Sequence, residues 1–185
     1  MKFTLILASL LIGANAVAIP DTDLSARELD SRATPSTEVA QWLKAHNDER
    51  AKHGAVALTW NQSLADSAQS WANGCNFAHS NSGQNLAATF TSQSGVPNNI
   101  PGAVQQWNNE RPQYNATTFQ GAGHWTQVVW KSTKTVGCAA HSCPPGTLGT
   151  KTTDPWKTLW YYVCNYSPPG NVYPQAKYYP ANVQP

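Results

Sequence analysis

The chain is predicted to fold as α+β, with helices in its first half covering a small sheet made by its second half. Two patterns predict this. Apolar residues recur at helical spacing between residues 39 and 72, and short β-branched and aromatic runs bounded by turn residues follow after residue 124. Four cysteines, Cys75, Cys138, Cys143 and Cys164, add covalent bracing.

Each element is justified in order. Thr34-Pro35 is a capping residue followed by Pro at a first helical position, and Val39, Trp42, Leu43, His46 and Arg50 then recur on one face until Gly54. That stripe places His46 in the core as a hydrogen-bonded imidazole and gives Arg50 a local partner. A second helix follows Asn61, with Leu64, Ala65, Ala68, Trp71 and Ala72 on one face and Gly74 as its stop. Gly83–Leu86 and Thr91–Pro101 read as loop, and a short helix carries Val104 and Trp107. Trp125–Trp130, Val136–Ala140 and Leu159–Tyr166 read as strands, with a long loop of Pro, Gly and polar residues from 144 to 155 between the last two. Residues 172–185, rich in Pro, Tyr and Asn, are expected to form an extended C-terminal tail.

Composition narrows the function classes. Charged residues are 12% of the 185, about half the usual share, whereas eight Trp and seven Tyr are many. With a net charge of +2 and no cluster of Lys or Arg, the electrostatic footprint of a nucleic-acid binder is missing. Lys2, the apolar run Phe3–Ile12 and the small-residue sites Ala14-Asn15-Ala16 and Ala16-Val17-Ala18 predict a signal peptide over 1–18. The run is too short for a transmembrane helix. Residues 19–34 read as a disordered arm or a pro-segment ending near Arg32. An exported chain with four cysteines predicts two disulfides, and spacing alone leaves three pairings open. Asn61-Gln62-Ser63 and Asn115-Ala116-Thr117 are glycosylation sequons, and Asn165-Tyr166-Ser167 is a third inside an expected strand.

Six strings, in order from residue 46 to 171, resemble the CAP family (cysteine-rich secretory protein, antigen 5 and pathogenesis-related 1), in particular its fungal pathogenesis-related-1-like members. They are His46-Asn47-Asp48-Glu49-Arg50, Cys75-Asn76-Phe77-Ala78-His79-Ser80, Gly83-Gln84-Asn85-Leu86, Gly123-His124-Trp125-Thr126-Gln127-Val128-Val129-Trp130, Val136-Gly137-Cys138-Ala139 and Cys164-Asn165-Tyr166-Ser167-Pro168-Pro169-Gly170-Asn171. The resemblance implies an α-β-α sandwich with a small antiparallel sheet between helices over residues 35–171. It also implies the pairings Cys75–Cys143 and Cys138–Cys164.

The family's cleft gathers two His and two Glu. Here the matching residues are His79, His124 and Glu110, while Gln84 stands where the first acid is expected. Two imidazoles and a carboxylate suit zinc or magnesium, but an amide at 84 weakens that set, and a hydrogen-bonded polar cluster is the competing expectation. No cofactor is therefore required. No nucleophile with an oriented base is apparent, so a metal-dependent hydrolase ranks below a non-enzymatic binding role. In fungal relatives the loop matching 111–123 is implicated in sterol binding, which makes Pro112, Tyr114 and Phe119 the candidate ligand residues for a sterol or other small lipid. Plant relatives close this loop with a cystine that is missing here. An extracellular protein acting on a protein or cell-wall partner is the alternative, and a signal peptide released from the tail ranks last.

Overall fold

A computed structural model describes residues 34–80 and 83–185. The leader expected over 1–18 and the arm or pro-segment expected over 19–34 lie, save for Thr34, outside these residues.

Helix α1 runs Ser36–Lys52, one residue later than the Thr34 cap predicts: Pro35 is the N-cap, and its carbonyl accepts the N–H groups of Glu38 and Val39. Strand β1 is only Thr59–Trp60. Helix α2, Gln62–Ala72, starts at Asn61, whose Oδ1 accepts the Leu64 N–H at 3.2 Å. Strand β2 spans Gln84–Thr91, helix α3 Ile100–Asn108 and helix α4 Gly123–Val129. Strands β3, Thr135–Cys143, and β4, Thr158–Ser167, precede helix α5, Gln175–Asn182.

The sheet order is β1-β3-β4-β2, antiparallel except where β1 runs parallel to β3. Its faces follow the period of two along β4. Tyr162, Cys164 and Tyr166 meet Trp42, Ile100, Val104, Trp107, Trp125, Val128 and Val129 from α1, α3 and α4. Leu159, Tyr161 and Val163 point the other way, against Ala68 and Ala72 of α2 and Leu148 of the long loop. Small residues let α2 sit close to the sheet. A Cβ at Gly137 of β3 would lie 2.3 Å from the backbone nitrogen of Ala65. The architecture is thus an α-β-α sandwich, braced by the disulfides Cys75–Cys143 and Cys138–Cys164.

Three elements depart from the sequence reading. Gly83–Leu86, read as loop, leads into β2, which pairs residue for residue with β4 from Gln84↔Asn165 to Thr91↔Thr158. Trp125–Trp130, read as a strand, belongs mostly to helix α4. Trp125, Thr126, Gln127, Val128 and Val129 are all buried, so no amphipathic period marks the helix. Its ends are held from outside. The Glu110 Oε2 accepts the N–H groups of His124 and Trp125 at 3.0 and 3.4 Å, and the Arg50 Nη1 donates to the carbonyls of Val128 and Trp130 at 2.7 and 2.9 Å. A negative group at the N-terminus and a positive one at the C-terminus oppose the helix dipole. Arg50 accordingly reaches far beyond the local partner expected for it.

The third departure is the tail. Residues 172–185 carry α5 instead of running extended, and the tail belongs to the same compact unit as the sandwich. Tyr179 packs edge-on to Trp130 at 5.0 Å, the Asn182 carbonyl accepts the Lys131 N–H, and the Gln184 carbonyl accepts from His53 Nδ1 at 2.7 Å. Docking overrides a composition with weak helix propensity. No described helix is long and apolar enough to cross a membrane.

Candidate functional site

A cleft of about 350 Å³ opens where the Cys75–Ser80 segment, the start of β2 and the entry to α4 meet. His79, Gln84, Asn85, Glu110, Gln113 and His124 line it, with Ala122, Gly123 and Asn171. His79, Glu110 and His124, predicted from separate parts of the chain, are therefore brought together. Gln113 and Asn171 were missed. Asn171 hydrogen-bonds Thr126 Oγ1 and the Gly123 carbonyl, a role that no spacing announces.

Glu110 and His124 form a close pair, Oε1 to Nδ1 at 2.5 Å. Burial pushes the Glu110 pKa up, but hydrogen bonds from the His124 side chain, its charge, and the backbone N–H groups of His124 and Trp125 outweigh burial and hold the carboxyl below its ordinary value. The His79 ring lies nearly parallel to that of His124, with centroids 6.4 Å apart. Partial burial first, and the charge of His124 second, lower the His79 pKa against an opposing hydrogen bond with Gln84.

Gln84 is almost fully enclosed. Its Oε1 accepts the Ser80 N–H at 3.0 Å, and its Nε2 donates to Ser80 Oγ at 2.9 Å and to Asn165 Oδ1 at 3.0 Å. A divalent ion in the cleft would meet two imidazoles, an amide whose oxygen is engaged, and a carboxylate whose two oxygens are both engaged by N–H groups. That is a poor donor set for zinc or magnesium. Among the described residues, three ligand atoms within 4.8 Å of one another occur only as His46 with Cys138 and Cys164, and as Cys75 with His141 and Cys143; in both the sulfurs are joined as cystine.

Behind the cleft runs a buried polar chain. A carbonyl only accepts, so His46 Nδ1 donates to the Trp42 oxygen at 2.8 Å, which leaves Nε2 to accept from the Tyr166 hydroxyl at 2.8 Å. The Asn85 Nδ2 donates to the Tyr166 oxygen and to the His124 carbonyl, joining the core to the cleft floor. Burial, and then the charge of Arg50, lower the His46 pKa to about 4 against its bond to Trp42. His46 is thus the satisfied core imidazole that its helical position predicts. An unfolded histidine takes up its proton first as the pH falls, so this contribution to stability is complete above about pH 6.5 and is lost toward pH 4. A shift of this size is worth about 3 kcal/mol. Urea unfolding from pH 7 to 4 is expected to show a steeper decline in wild type than in His46→Gln, and parallel declines would remove His46 from the acid sensitivity.

The loop from 111 to 121 stands beside the cleft. Its first turn is a 3₁₀ turn, Arg111–Gln113, and a bridge between Asn115 and Gln120 closes the hairpin. Gly121, at φ +79°, brings the chain so near the Gln113 carbonyl that a Cβ would lie 2.3 Å from it. Tyr114 and Phe119 are half-buried, Tyr114 on Trp125 at 5.4 Å and Phe119 on Tyr179 at 6.0 Å. Pro112 is exposed on the far side, lining a separate polar groove with Glu49, Lys52 and Arg111. No disulfide closes the loop. Its tip is held to α5 by the Gln175 Nε2, which donates to the Phe119 carbonyl, and by the Gln120 Nε2, which donates to Gln175 Oε1. Of the sequon asparagines, Asn115 is exposed, Asn61 caps α2, and Asn165 is enclosed with its Nδ2 on the Leu64 carbonyl.

Comparison with known proteins places these observations in a family. A model of the cysteine-rich secretory protein (CAP) family matches residues 43–166. Fruiting body protein SC7 of Schizophyllum commune is 58% identical over 205 aligned positions that cover all of both chains. Pathogenesis-related leaf protein 6 of Solanum lycopersicum is 38% identical over 149 positions, covering 74% of this chain and 81% of its own. The crystal structure of MpPR-1i superposes with a TM-score of 0.57 at 22% identity, covering 76% of this chain and 93% of its own, a likeness of fold.

Proposed function

This chain belongs to the CAP family, and from that premise we propose that it is an exported, non-enzymatic CAP-domain protein that binds a sterol or related lipid through its 111–121 loop. The observation that carries the proposal is an aromatic lid on an aromatic floor. Tyr114 and Phe119 lie over Trp125 and Tyr179, with Trp130 packed behind Tyr179. A flat apolar ligand inserted between lid and floor exchanges ring contacts for ring contacts. Few bonds oppose opening: the tip is tied to α5 through the single side chain of Gln175.

The cleft itself favours binding over hydrolysis. His124 carries Glu110 on Nδ1 in the manner of an oriented base, yet among the described residues that line the cleft there is no Ser, Thr or Cys to act as nucleophile. The hydroxyl of Ser80 accepts from Gln84. Glycans at Asn61 and Asn115 accompany export in this proposal, and Asn115 is exposed, with its Oδ1 accepting the N–H groups of Thr117 and Thr118.

Saturable binding of radiolabelled cholesteryl acetate to the deglycosylated protein is the test. Tyr114→Ala/Phe119→Ala is expected to weaken binding by about tenfold or more, the scale of losing two aromatic contacts. His79→Ala/His124→Ala is expected to leave it unchanged. A folded protein that binds no sterol ester overturns the lipid reading and leaves a protein or cell-wall partner as the function to pursue.

A further inference from the structure

Gln84 and Glu110 stand where a cation would need two acids, and both are committed to other work. We propose that in this chain the cleft is a hydrogen-bonded latch that excludes divalent cations, with the Gln84–Asn165 amide pair fastening the His79 segment to the sheet and Glu110 capping α4.

The amide at 84 matches its neighbours as they are oriented here. Gln84 lies directly across from Asn165 in the β2–β4 register. The Asn165 Nδ2 donates to the Leu64 carbonyl, so its Oδ1 is the atom turned toward position 84. Only a donor satisfies that oxygen, and Gln84 supplies one through Nε2. A glutamate would set oxygen against oxygen in a place where both side chains are nearly sealed from solvent.

The other face of the amide holds the chain beside His79. Ser80 is bound through both its N–H and its hydroxyl oxygen. On the other side of His79, the Ala78 carbonyl accepts from Trp71 Nε1 at 2.8 Å and from the Tyr161 hydroxyl at 3.4 Å, and Cys75 is fixed to Cys143. His79 therefore sits between two residues fastened to the sheet, Ser80 through Gln84 of β2 and Ala78 through Tyr161 of β4. Glu110, for its part, spends Oε1 on His124 Nδ1 and Oε2 on the first-turn N–H groups of α4. A cation would have to compete with these three N–H groups for the carboxylate. Without it only two neutral nitrogens remain, which hold a divalent ion weakly. This inference is independent of what the 111–121 loop binds.

Calorimetric titration with Zn²⁺ at pH 7 tests it on the wild-type protein, Gln84→Glu and Gln84→Ala. Wild type is expected to show no saturation below about 1 mM. Saturation below that concentration, abolished in His79→Ala/His124→Ala, would overturn the proposal without reliance on any variant at position 84. Gln84→Glu is expected to bind Zn²⁺ at least about tenfold more tightly than wild type, and no gain counts against the amide as the excluding element. For the latch, hydrogen exchange at the Ser80 amide is expected to quicken by about tenfold or more in Gln84→Ala, since a single bond to a buried acceptor is lost. An unchanged rate there overturns the fastening role.

Discussion

Arg50→Ala is expected to destabilise the protein by about 5 kcal/mol, the largest loss from a single side chain in this fold. Arg50 is fully buried, and no carboxylate accompanies it among the described ion pairs. Four carbonyls do the work instead. Nε donates to Val56 at 2.9 Å, Nη1 to Val128 and Trp130, and Nη2 to Thr133 at 3.1 Å. Burial lowers its pKa to about 10, so it remains a cation at neutral pH and faces the negative end of α4. Truncation strands these oxygens, each at roughly 1–3 kcal/mol when buried and unpaired. Because α4 has no amphipathic signal of its own, loss of the cap at its C-terminal end is felt directly by the helix that bears His124. Arg50→Lys is expected to recover less than half the loss, because an ammonium cannot span four divergent acceptors. Urea midpoints of the three proteins at pH 7 measure this; a loss below about 1 kcal/mol for Arg50→Ala would mean that water replaces the guanidinium.

Removing the outer disulfide is the second large effect. Cys75 and Cys143 are separated by 68 residues, and opening a loop of that size restores about 4 kcal/mol of unfolded-state chain entropy. Cys75→Ala/Cys143→Ala is thus expected to lower Tm by roughly 8–16 °C for a chain of this length. The inner cystine spans 26 residues, and its partners already face each other in the β3–β4 ladder. Its removal is expected to cost about 3.5 kcal/mol by the same entropy. The two also differ locally. Loss of Cys75–Cys143 loosens the segment bearing His79, seen as faster exchange from Asn76 to Ser80, whereas the inner pair leaves that segment fast to the sheet. Equal Tm losses with no change in exchange near His79 would deny Cys75 this local part.

The sequence was most readable where burial is one-sided or covalent. Val39, Trp42, Leu43 and His46 mark α1, Asn61 marks the start of α2, and the aromatic runs around Val136 and Tyr162 mark the two central strands. The cystine pairing followed from family resemblance, since spacing left three choices. Legibility failed where tertiary partners decide. Trp125–Trp130 is rich in β-branched and aromatic residues and reads as a strand, but its residues through Val129 are buried on every side, and Glu110 and Arg50 hold the ends of a helix there. Gln175–Asn182 has a poor helical composition and is held by Trp130, Lys131 and His53. The cleft shows the same division. His79, Glu110 and His124 could be matched to motifs one by one, but the partnership of Gln84 with Asn165 depends on a strand register that no local spacing encodes.

The order of strands in the sheet has a consequence for biogenesis. β2 is made early, yet it lies at the edge beyond β4, the last strand to be synthesised. The buried face of α2 likewise waits for β3 and β4. A ribosome-bound chain ending before residue 158 holds an unpaired strand, an uncovered helix and the thiol of Cys75, and the first cysteine to join Cys75 is Cys138, not its native partner. Assembly is therefore one late event dominated by distant contacts, slow by the standard of helical proteins. During that interval a mispaired Cys75–Cys138 bridge is the natural trap, and release from it calls for thiol–disulfide exchange.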